Sequence, residues 1–589
     1  MGREAVESLW RRRINIDVLM GVATVGSAAL GLWEEAAFLA FLYAGAEGLE
    51  EYTYDRTRGA IRALLDLAPK EARLLRDGQE VTVPAVELRP GDRFLVRPGE
   101  SLATDGTIRS GATSLDEAVV TGESVPVDKN PGDTVYAGSV NLTGAIEVEA
   151  TADFTDNSLA RIIHLVEEAQ EEKTRTQQVI DRFGDRYSPA VLAGAFLLAV
   201  VPTLFGGEGG EWIRRAVTLT VAGAPCALVM STPVAVAAAI GSAGKRGVLI
   251  KGGVHLENLG RVRVVCFDKT GTLTAGTPAV TDVVPVDDHR AEEVIRIGAA
   301  VEASSEHPLA EAIVRRAAAD GVEVTRAPHF EALTGSGARA EVNGAVAFVG
   351  KPELFTQLGV DVKHLHDQIT RLQAEGKTVV AVGTEQKIHG LLALRDEPRP
   401  KAAEAVASLK RAGIKHLAML TGDNRATAES IAGGLGIDQV LAELRPEDKT
   451  RAIRDLEKRF GPVAMVGDGI NDAPALATAT VGIAMGAAGT DAAIEAADVA
   501  LLGDDLGAVA FTIELGRRTR KITYQNVVFS VALLAVLVPA AVIGLIGIAV
   551  AVTAHEVAEL IAVLNGLRAR NPGSGGEGGS AYPSEPSST

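Results

Sequence analysis

Asp268-Lys269-Thr270-Gly271-Thr272 is the stretch that decides the fold of this chain of 589 residues. It follows directly on residues 262–267, an apolar run with the length and composition of a buried β-strand. This arrangement places Asp268 at the carboxyl end of a parallel strand, where open α/β sheets bind their ligands. A carboxylate in that position can attack a phosphoryl group and form an aspartyl phosphate.

The surrounding segment, residues 261–510, predicts a doubly wound parallel sheet, because strand-like apolar runs alternate with amphipathic helices. Thr421-Gly422-Asp423 follows one such run and offers a hydroxyl and backbone amides to phosphate oxygens. Residues 467–472, Gly-Asp-Gly-Ile-Asn-Asp, follow another and offer carboxylates to magnesium. We place Lys449 at a third strand end as a fixed positive charge. Since acidic residues alone would repel a phosphate, we expect both magnesium and Lys449 to be needed.

The composition indicates that part of the chain lies in lipid. Hydrophobic residues make up 47% of the sequence, and the mean hydropathy is +0.16, which excludes a disordered or collagen-like chain. The net charge of −18 argues against nucleic acid as a partner, because phosphate backbones need a basic face. The two cysteines, Cys226 and Cys266, exclude a disulfide framework and any Cys-x-x-Cys metal module. We expect Cys266 to be core packing.

Apolar runs predict six membrane helices. Residues 190–205 and 216–244 form two, and 522–554 is long enough for a hairpin that turns at Gly544 and Gly547. An N-terminal hairpin is expected over residues 18–49, split by Glu34 and Glu35. Between the hairpins, short alternating runs over residues 71–151 predict a small β-rich domain.

Two places in these helices carry groups that could bind a metal ion. Pro225 in Ala224-Pro225-Cys226 removes an amide donor, so the helix opens locally and can present backbone oxygens beside the Cys226 thiolate. His555, Glu556 and Glu559 stand near the middle of the last helix, where ionisable side chains are costly and are functional by default. A spacing of four puts His555 and Glu559 on one face.

These motifs, in this order, resemble the P-type ATPases, whose phosphorylation domain has the haloacid dehalogenase fold. The resemblance runs from about Ile14 to Arg570, and it implies that Asp268 is phosphorylated from ATP. It further implies catalytic roles for Thr270, Thr421, Lys449 and Asp472, magnesium binding by Asp268, Thr270 and Asp468, and nucleotide binding by Asp423.

The same resemblance gives a role to Thr121-Gly122-Glu123-Ser124, in a loop of the β-rich segment. It matches the actuator motif whose glutamate positions water to hydrolyse the phosphoenzyme. A carboxylate is a suitable base for orienting water. Domain movement has to bring Glu123 in, because a resident water would waste ATP.

An insertion between Thr274 and Leu392 looks like the nucleotide-binding domain of the heavy-metal branch. In that branch a His-Pro pair and two glycines lie around adenosine. The nucleotide-binding residues implied here are Glu302, His307, Gly335 and Gly337.

The membrane residues are similar to those of the cobalt/zinc/cadmium subgroup, although His-Glu is followed here by Val557-Ala558-Glu559 and not by Gly-x-Thr. The implied ligands of the transported ion are Cys226, His555, Glu556 and Glu559. Thiolate, imidazole and carboxylate suit Zn2+, Co2+ or Cd2+. Copper(I) is not expected, since it prefers several sulfur ligands.

The expected fold class is a multidomain membrane protein, with an α-helical transmembrane bundle, a β-rich actuator domain and an α/β haloacid-dehalogenase-like phosphorylation domain carrying an inserted α+β nucleotide-binding domain. The expected boundaries are helices at 14–50, 188–244 and 520–567, actuator domain 51–187, phosphorylation domain 260–279 and 393–512, nucleotide-binding domain 280–392, and a disordered tail at 571–589. We expect a monomer in the cell membrane with cytoplasmic soluble domains, with ATP, Mg2+ and a divalent heavy-metal ion as ligands and no nucleic acid. A pump for another cation and a membrane-anchored phosphatase of the same catalytic fold remain alternatives.

Overall fold

The computed structural model describes residues 10, 16–41, 43–45, 48, 69–76, 79–117, 126–160, 173–230, 232–276, 278–305, 307–333, 336–342, 344–423, 425–468, 472–486, 495 and 497–570. The chain divides into two compact units. One unit contains residues 1–261 and 511–589, and the other contains residues 262–510.

The first unit contains the predicted β-rich domain. Its strands are β1 Glu71–Arg76, β2 Gln79–Pro84, β3 Arg93–Val96, β4 Gly106–Ser110, β5 Thr113–Asp116, β6 Val127–Lys129, β7 Thr134–Val135, β8 Val140–Asn141 and β9 Ile146–Ala150. They form a sheet in the order β2-β1-β3-β9-β4-β7 and a second sheet in the order β6-β5-β8. Alternate residues of β9 are buried, as the period of two for a strand with one core face requires.

Helices of the same unit follow the apolar runs. They are α1 Ile16–Ala29, α2 Arg175–Leu204, α3 Gly209–Ala222, α4 Cys226–Met230, α5 Pro233–Gly244 and α6 Gly253–Leu259, with strand β10 Val248–Ile250 between the last two. The first expected hairpin turns earlier than the sequence indicated. Its turn lies at residues 30–32, and Glu34 and Glu35 stand inside the following helical stretch, 33–41. Gly31 adopts φ +76° there, a conformation that favours glycine, whereas acidic residues suit a helix N-terminus.

The second unit is built on two sheets. Its elements are β11 Val264–Asp268, β12 Ala279–Pro285, α7 Ala291–Glu302, α8 Pro308–Ala319, β13 Glu331–Leu333, β14 Gly337–Val342, β15 Ala345–Gly350, α9 Pro352–Gln357, α10 His366–Ala374, β16 Thr378–Thr384, β17 Ile388–Arg395, α11 Ala402–Arg411, β18 His416–Leu420, α12 Arg425–Leu435, β19 Gln439–Leu441, α13 Pro446–Phe460, β20 Val463–Gly467, α14 Ala473–Thr478, β21 Val481–Ala484 and β22 Val499–Leu501.

Six strands of the parallel sheet lie in the order β22-β21-β20-β11-β18-β19. The inserted sheet has the order β12-β17-β16-β15-β14-β13 and is antiparallel. Every residue of β11 and of β20 is buried, so the core covers both faces of the sheet, which explains why these strands read as continuous hydrophobic runs. Cys266, on β11, is fully buried in that core, as expected.

The last two helices are α15 Gly507–Val542 and α16 Ile548–Leu567. They are joined at residues 543–547, so the predicted turn at Gly544 and Gly547 is confirmed. Within the described residues, four helices are long and apolar enough to cross a membrane: Arg175–Leu204, Gly209–Gly244, Gly507–Val542 and Ile548–Arg570. A shorter apolar helix covers Val18–Ala29. The remainder of the N-terminal hairpin, beyond residue 48, lies outside the described residues, as does the expected tail.

Candidate functional site

The carboxyl ends of three adjacent strands place Asp268 in the middle of the parallel sheet. On β11, Asp268 pairs in register with Leu420 of β18, directly before Thr421. On the other side, Phe267 pairs with Val466 of β20, which leads into Gly467 and Asp468. Neighbouring parallel strands end at one edge, so the predicted strand-end cluster is confirmed for these two motifs.

Lys449 reaches this edge from a helix. It belongs to the first turns of α13, not to a strand end as the sequence suggested. Its Nζ donates to Asp268 Oδ1 at 2.6 Å and to Asp472 Oδ1 at 2.6 Å. The amine thereby contacts the carboxylate of Asp268, the expected nucleophile, and that of Asp472.

The electrostatics of this cluster show a shortage of positive charge. Burial, together with the charge of Asp472, raises the pKa of Asp268 to about 6. Burial also raises the pKa of Asp472 above its ordinary value, which the contact with Lys449 only partly offsets. Burial opposes the charge on Lys449, but its two carboxylate partners outweigh that effect and raise the pKa of the amine. Asp268 and Asp472 share the single amine of Lys449, and the charge of Asp468 further raises the pKa of both carboxyls, so the site has room for further positive charge.

Close packing against Asp472 explains why the residue at position 467 is a glycine. A Cβ on Gly467 would lie 2.8 Å from Asp472 Oδ2. Any side chain there would displace the carboxylate that Lys449 holds. The glycine of the motif is therefore needed to let Asp472, which is 1% exposed, sit against the end of β20.

A second ion pair lies beside the first. Lys269, directly after Asp268, pairs with Asp423. Thr421 is buried, and its hydroxyl oxygen accepts a hydrogen bond from the Asp423 backbone N–H at 3.1 Å. Thr270 follows on the exposed side of the loop. Lys269 was not among the expected site residues, although its position in the motif is a usable signal.

Two more residues that sequence reasoning missed fix the loop after Asp268. Arg399 donates from Nη2 to the Gly271 carbonyl at 2.9 Å and from Nε to the Thr272 carbonyl at 3.0 Å. Asp396 accepts from the Gly276 backbone N–H at 3.0 Å. The charged sequence after β17, Arg-Asp-Glu-Pro-Arg at 395–399, was the available signal.

The donor set at this edge fits a hard divalent cation. Asp268 and Asp468 supply carboxylates, and Mg2+ is usually held by one or two carboxylates while substrate phosphates complete its shell. No group of three or more His, Cys, Asp or Glu side chains in the described part of the chain is arranged to hold a metal ion. Asp268 and Asp468 could therefore hold Mg2+ together with phosphate oxygens.

Two residues expected around the nucleotide lie at the ends of helices of the inserted domain. Glu302 ends α7 and is 9% exposed, and burial raises the pKa of its carboxyl to about 7 although Ser305 hydrogen bonds to it. His307 is the N-cap of α8, where its Nδ1 accepts from the Leu309 backbone N–H at 3.2 Å. The ring is exposed, so its Nε2 side faces outward.

The local backbone structure requires a glycine at position 337. It adopts φ +151°, and a Cβ there would lie 2.1 Å from the Val349 carbonyl oxygen on β15. The strand pairing alone excludes other residues at this position. Gly335 lies outside the described residues, as does the predicted water-positioning Glu123 with its loop.

The membrane helix that contains Pro225 is broken, as expected. α3 ends at Ala222, and α4 begins at Cys226. The Val221 carbonyl, which Pro225 cannot serve, accepts from the Ala224 backbone N–H at 3.0 Å. Gly223 allows α2 to approach the break closely, since a Cβ there would lie 2.8 Å from Val191 Cγ1.

His555 reaches this break from α16. It is 5% exposed, and its Nε2 lies 3.1 Å from the Ala222 carbonyl oxygen. His555 is the eighth residue of α16, so it stands well inside the helix. Glu556, Glu559 and Cys226 are half-buried, and in the described residues they do not gather with His555 into a group of three metal ligands. The structure brings His555 to the backbone opened at Pro225, directly before Cys226, and the described residues hold no group of three of the predicted ligands.

Comparison with known families agrees with both units. Residues 66–167 match the P-type ATPase actuator domain, and residues 262–480 match the haloacid dehalogenase-like hydrolases. Among curated proteins, the chain is 43% identical to a probable cadmium-transporting ATPase of Alkalihalophilus pseudofirmus, over 96% of this chain and 79% of that protein. It is 47% identical to the probable cation-transporting ATPase G of Mycobacterium tuberculosis, over 96% of this chain and 72% of that protein.

Among solved structures, the chain is similar to a zinc-transporting PIB-type ATPase in its E2·Pi state. The TM-score is 0.64 and the identity 39%, with 97% of this chain and 93% of the other covered. With this identity over nearly its whole length, the chain belongs to the heavy-metal branch of the P-type ATPases, membrane proteins that hydrolyse ATP to transport cations.

Proposed function

We propose that this protein exports a divalent heavy-metal ion, Zn2+, Cd2+ or Co2+, across the cell membrane at the expense of ATP. The observation that carries the proposal is the pairing of His555 with the carbonyl of Ala222 at a proline break, in a chain that also holds a phosphoryl-transfer site. A broken helix with a buried imidazole has no use in a membrane-anchored phosphatase.

The reaction begins with attack by an Asp268 carboxylate oxygen on the terminal phosphoryl group of ATP. A new O–P bond forms, the bond to ADP breaks, and an aspartyl phosphate results. Lys449, in contact with Asp268, offsets the negative charge that gathers there. Mg2+, held by Asp268, Asp468 and Thr270, supplies further charge neutralisation when it is bound. Thr421 and Asp472 position the phosphate oxygens and Lys449 respectively.

ATP is held by the inserted domain. At neutral pH the Glu302 carboxyl, whose pKa is raised to about 7, is protonated for part of the time and can donate or accept a hydrogen bond at the adenine. His307 presents its ring for stacking or hydrogen bonding, because its Nδ1 is already used in the helix cap. Gly335 and Gly337 let the backbone approach the nucleoside, and Asp423 lies on the phosphate side. Glu123 orients the water that later hydrolyses the aspartyl phosphate.

The transported ion is bound by Cys226, His555 and Glu556, with Glu559 as a weaker ligand. A borderline cation accepts thiolate, imidazole and carboxylate together, whereas Na+ and K+ gain little from sulfur or nitrogen. This argues against a pump for an alkali cation. The soluble domains face the cytoplasm, and the protein works as a monomer.

The test is transport into inside-out vesicles that contain the purified full chain. With ATP, radioactive zinc, cadmium and cobalt should accumulate, and sodium and potassium should not. The Asp268→Asn variant in vesicles of the same composition is the control, because its metal uptake measures passive leakage alone. ATP hydrolysis that is unaffected by every metal, without uptake, would assign the chain to the phosphatase alternative.

A further inference from the structure

A cavity of 230 Å³ lies where α2, α5, α6 and α15 meet in the first unit. None of its lining residues is a proposed ligand of the transported ion, and the proposed transport cycle does not use it. Five of its lining residues are threonines, namely Thr174, Thr176, Thr232, Thr519 and Thr523. The unpaired groups and the charge of this lining indicate which kind of ligand the cavity fits.

Two buried groups of this lining that lack partners among the described residues can both donate hydrogen bonds. Thr232 is 2% exposed, and in the described part of the chain its hydroxyl has no hydrogen-bond partner. The Nε of Arg261 is buried and also lacks a partner there. Glu257, by contrast, is satisfied, since it accepts from the Thr176 backbone N–H at 3.1 Å and from Arg261 Nη2 at 2.5 Å. Buried unpaired donors cost free energy unless an acceptor enters.

The charge of the lining favours a ligand whose hydrogen-bond acceptor is negatively charged. Arg261 and Arg520 face a single carboxylate, Glu257, so the lining carries one excess positive charge. A metal cation entering the membrane would be repelled here, whereas a phosphate group would be attracted. Arginine also binds phosphate with two parallel hydrogen bonds.

Apolar side chains also line the cavity, which lies at the level where α15 becomes hydrophobic. Leu256, Val236 and Val527 line it, and the basic run at residues 517–521 ends directly before Ile522. Tyr524, at the mouth, is 70% exposed, and Val528 and Val531 continue the same outward face of the helix. Aromatic residues at such a level mark the membrane interface.

We propose that this cavity binds the headgroup phosphate of one anionic phospholipid, whose acyl chains lie along the outward face of α15 at Tyr524, Val528 and Val531. Arg520 and Arg261 contact the phosphate, and Thr232 donates its hydroxyl to it. A zwitterionic lipid fits less well, because its ammonium group would approach the same arginines.

The test is native mass spectrometry of the delipidated full chain, titrated with phosphatidylglycerol or with phosphatidylcholine. Wild type should retain one phosphatidylglycerol per chain. Arg520→Gln should lower that retention about tenfold, the size expected for loss of a charged hydrogen bond. Arg518→Gln makes the same charge change on the same helix outside the cavity lining, and it should retain the lipid.

A second pair of variants tests the cavity without changing charge. Val527→Phe fills it and should abolish retention, whereas Val536→Phe, on an exposed site deeper along α15, should not. Equal retention of both lipids, or equal losses in Arg518→Gln and Arg520→Gln, would overturn the proposal. Displacement of the lipid by excess inorganic phosphate would instead identify a free-phosphate site and contradict a lipid site. If Arg520→Gln does not fold, Thr232→Val removes a donor at nearly constant volume and should weaken retention.

Discussion

The phosphorylation site and the membrane site differ in how far they are assembled before any ligand arrives. At the first, Lys449 already contacts Asp268 and Asp472, each at 2.6 Å. At the second, His555 contacts a backbone carbonyl, and no three metal ligands in the described residues are grouped. Phosphoryl transfer is faster when the charged groups around the reacting atoms are held in place before the substrate binds. A transport site has to bind its ion and then release it, so its ligands are expected to gather in one state and separate in another.

The largest effect should come from the preassembled site. Asp268→Asn removes the nucleophilic oxygen while keeping the size of the side chain, so phosphoenzyme formed from labelled ATP should fall by at least about a thousandfold. The measurement is acid-stable, hydroxylamine-sensitive label on the full chain. Asp282→Asn, on the inserted sheet and away from this edge, is the matched control and should keep its label. Undiminished label in Asp268→Asn would show that Asp268 is not the nucleophile.

Removing one ligand of the membrane site should have a smaller effect. Cys226→Ala and His555→Ala should each lower zinc-, cobalt- or cadmium-stimulated ATP hydrolysis by roughly tenfold or more, because partners in a packed bundle cannot replace a lost strong donor. Glu559→Gln should do less. Val557→Ala, on the exposed side of α16, is the control and should remain near wild type. Full stimulation in both ligand variants would place the metal elsewhere.

Substitution of Arg399 should disturb the loop after Asp268 without changing Asp268 itself. Arg399→Gln leaves the carbonyls of Gly271 and Thr272 without their donors, so the loop should drift and the rate of phosphorylation should fall about tenfold. Because Arg399 is a positioning residue, the Michaelis constant for ATP should change little. Arg411→Gln, an equal charge change at an exposed position of α11, is the control. A rise in the Michaelis constant with an unchanged maximal rate would contradict a positioning role.

The smallest effect concerns a pair of stacked imidazoles in the inserted domain. His389 stacks on His289 at 4.2 Å between ring centroids, and burial, with the charges of His289 and Lys387, lowers the pKa of His389 despite Glu293 nearby. The folded state therefore binds its proton less tightly than the unfolded state. Stability is complete above the unfolded pKa of 6.5 and is lost as the pH falls through it.

Hydrogen exchange of the amides of β17 and α7, corrected for intrinsic rates, measures this loss in the full chain. Between pH 7.5 and 5.5 the protection should fall by a small factor, on the order of threefold. His389→Gln should flatten the dependence, whereas His366→Gln, on an exposed position of α10, should not. An unchanged slope in His389→Gln would exclude this imidazole as the cause.

Much of this fold could be predicted, because a parallel strand buried on both faces is a continuous apolar run and its end is marked by the first polar residue. Asp268 and Thr421 were located in this way. Lys449 was expected at a strand end, but a helix supplies it, since the amine can reach the edge from several directions. The break at Pro225 was predicted because proline has a fixed effect on a helix.

Other features had no local signal of that kind. Glu34 and Glu35 suggested a turn, yet the backbone turns at Gly31, where a positive φ is available, and the acids begin the next helix. Arg399 and Asp396 act across more than a hundred residues of sequence, so only the folded structure shows that they hold the loop after Asp268. Gly337 was expected near the nucleoside, and pairing with β15 requires it in any case.

Metal export driven by ATP requires that an ion bound at the membrane site control phosphorylation of Asp268, and this coupling is the central claim. It is tested most directly by labelling Cys226→Ala and His555→Ala from both directions, with ATP plus zinc and, separately, with inorganic phosphate without zinc. Label from inorganic phosphate reverses hydrolysis of the aspartyl phosphate and needs no transported ion. The account predicts that both variants lose zinc-dependent label from ATP and keep label from phosphate. Zinc-dependent label from ATP at the wild-type level in both variants would contradict it.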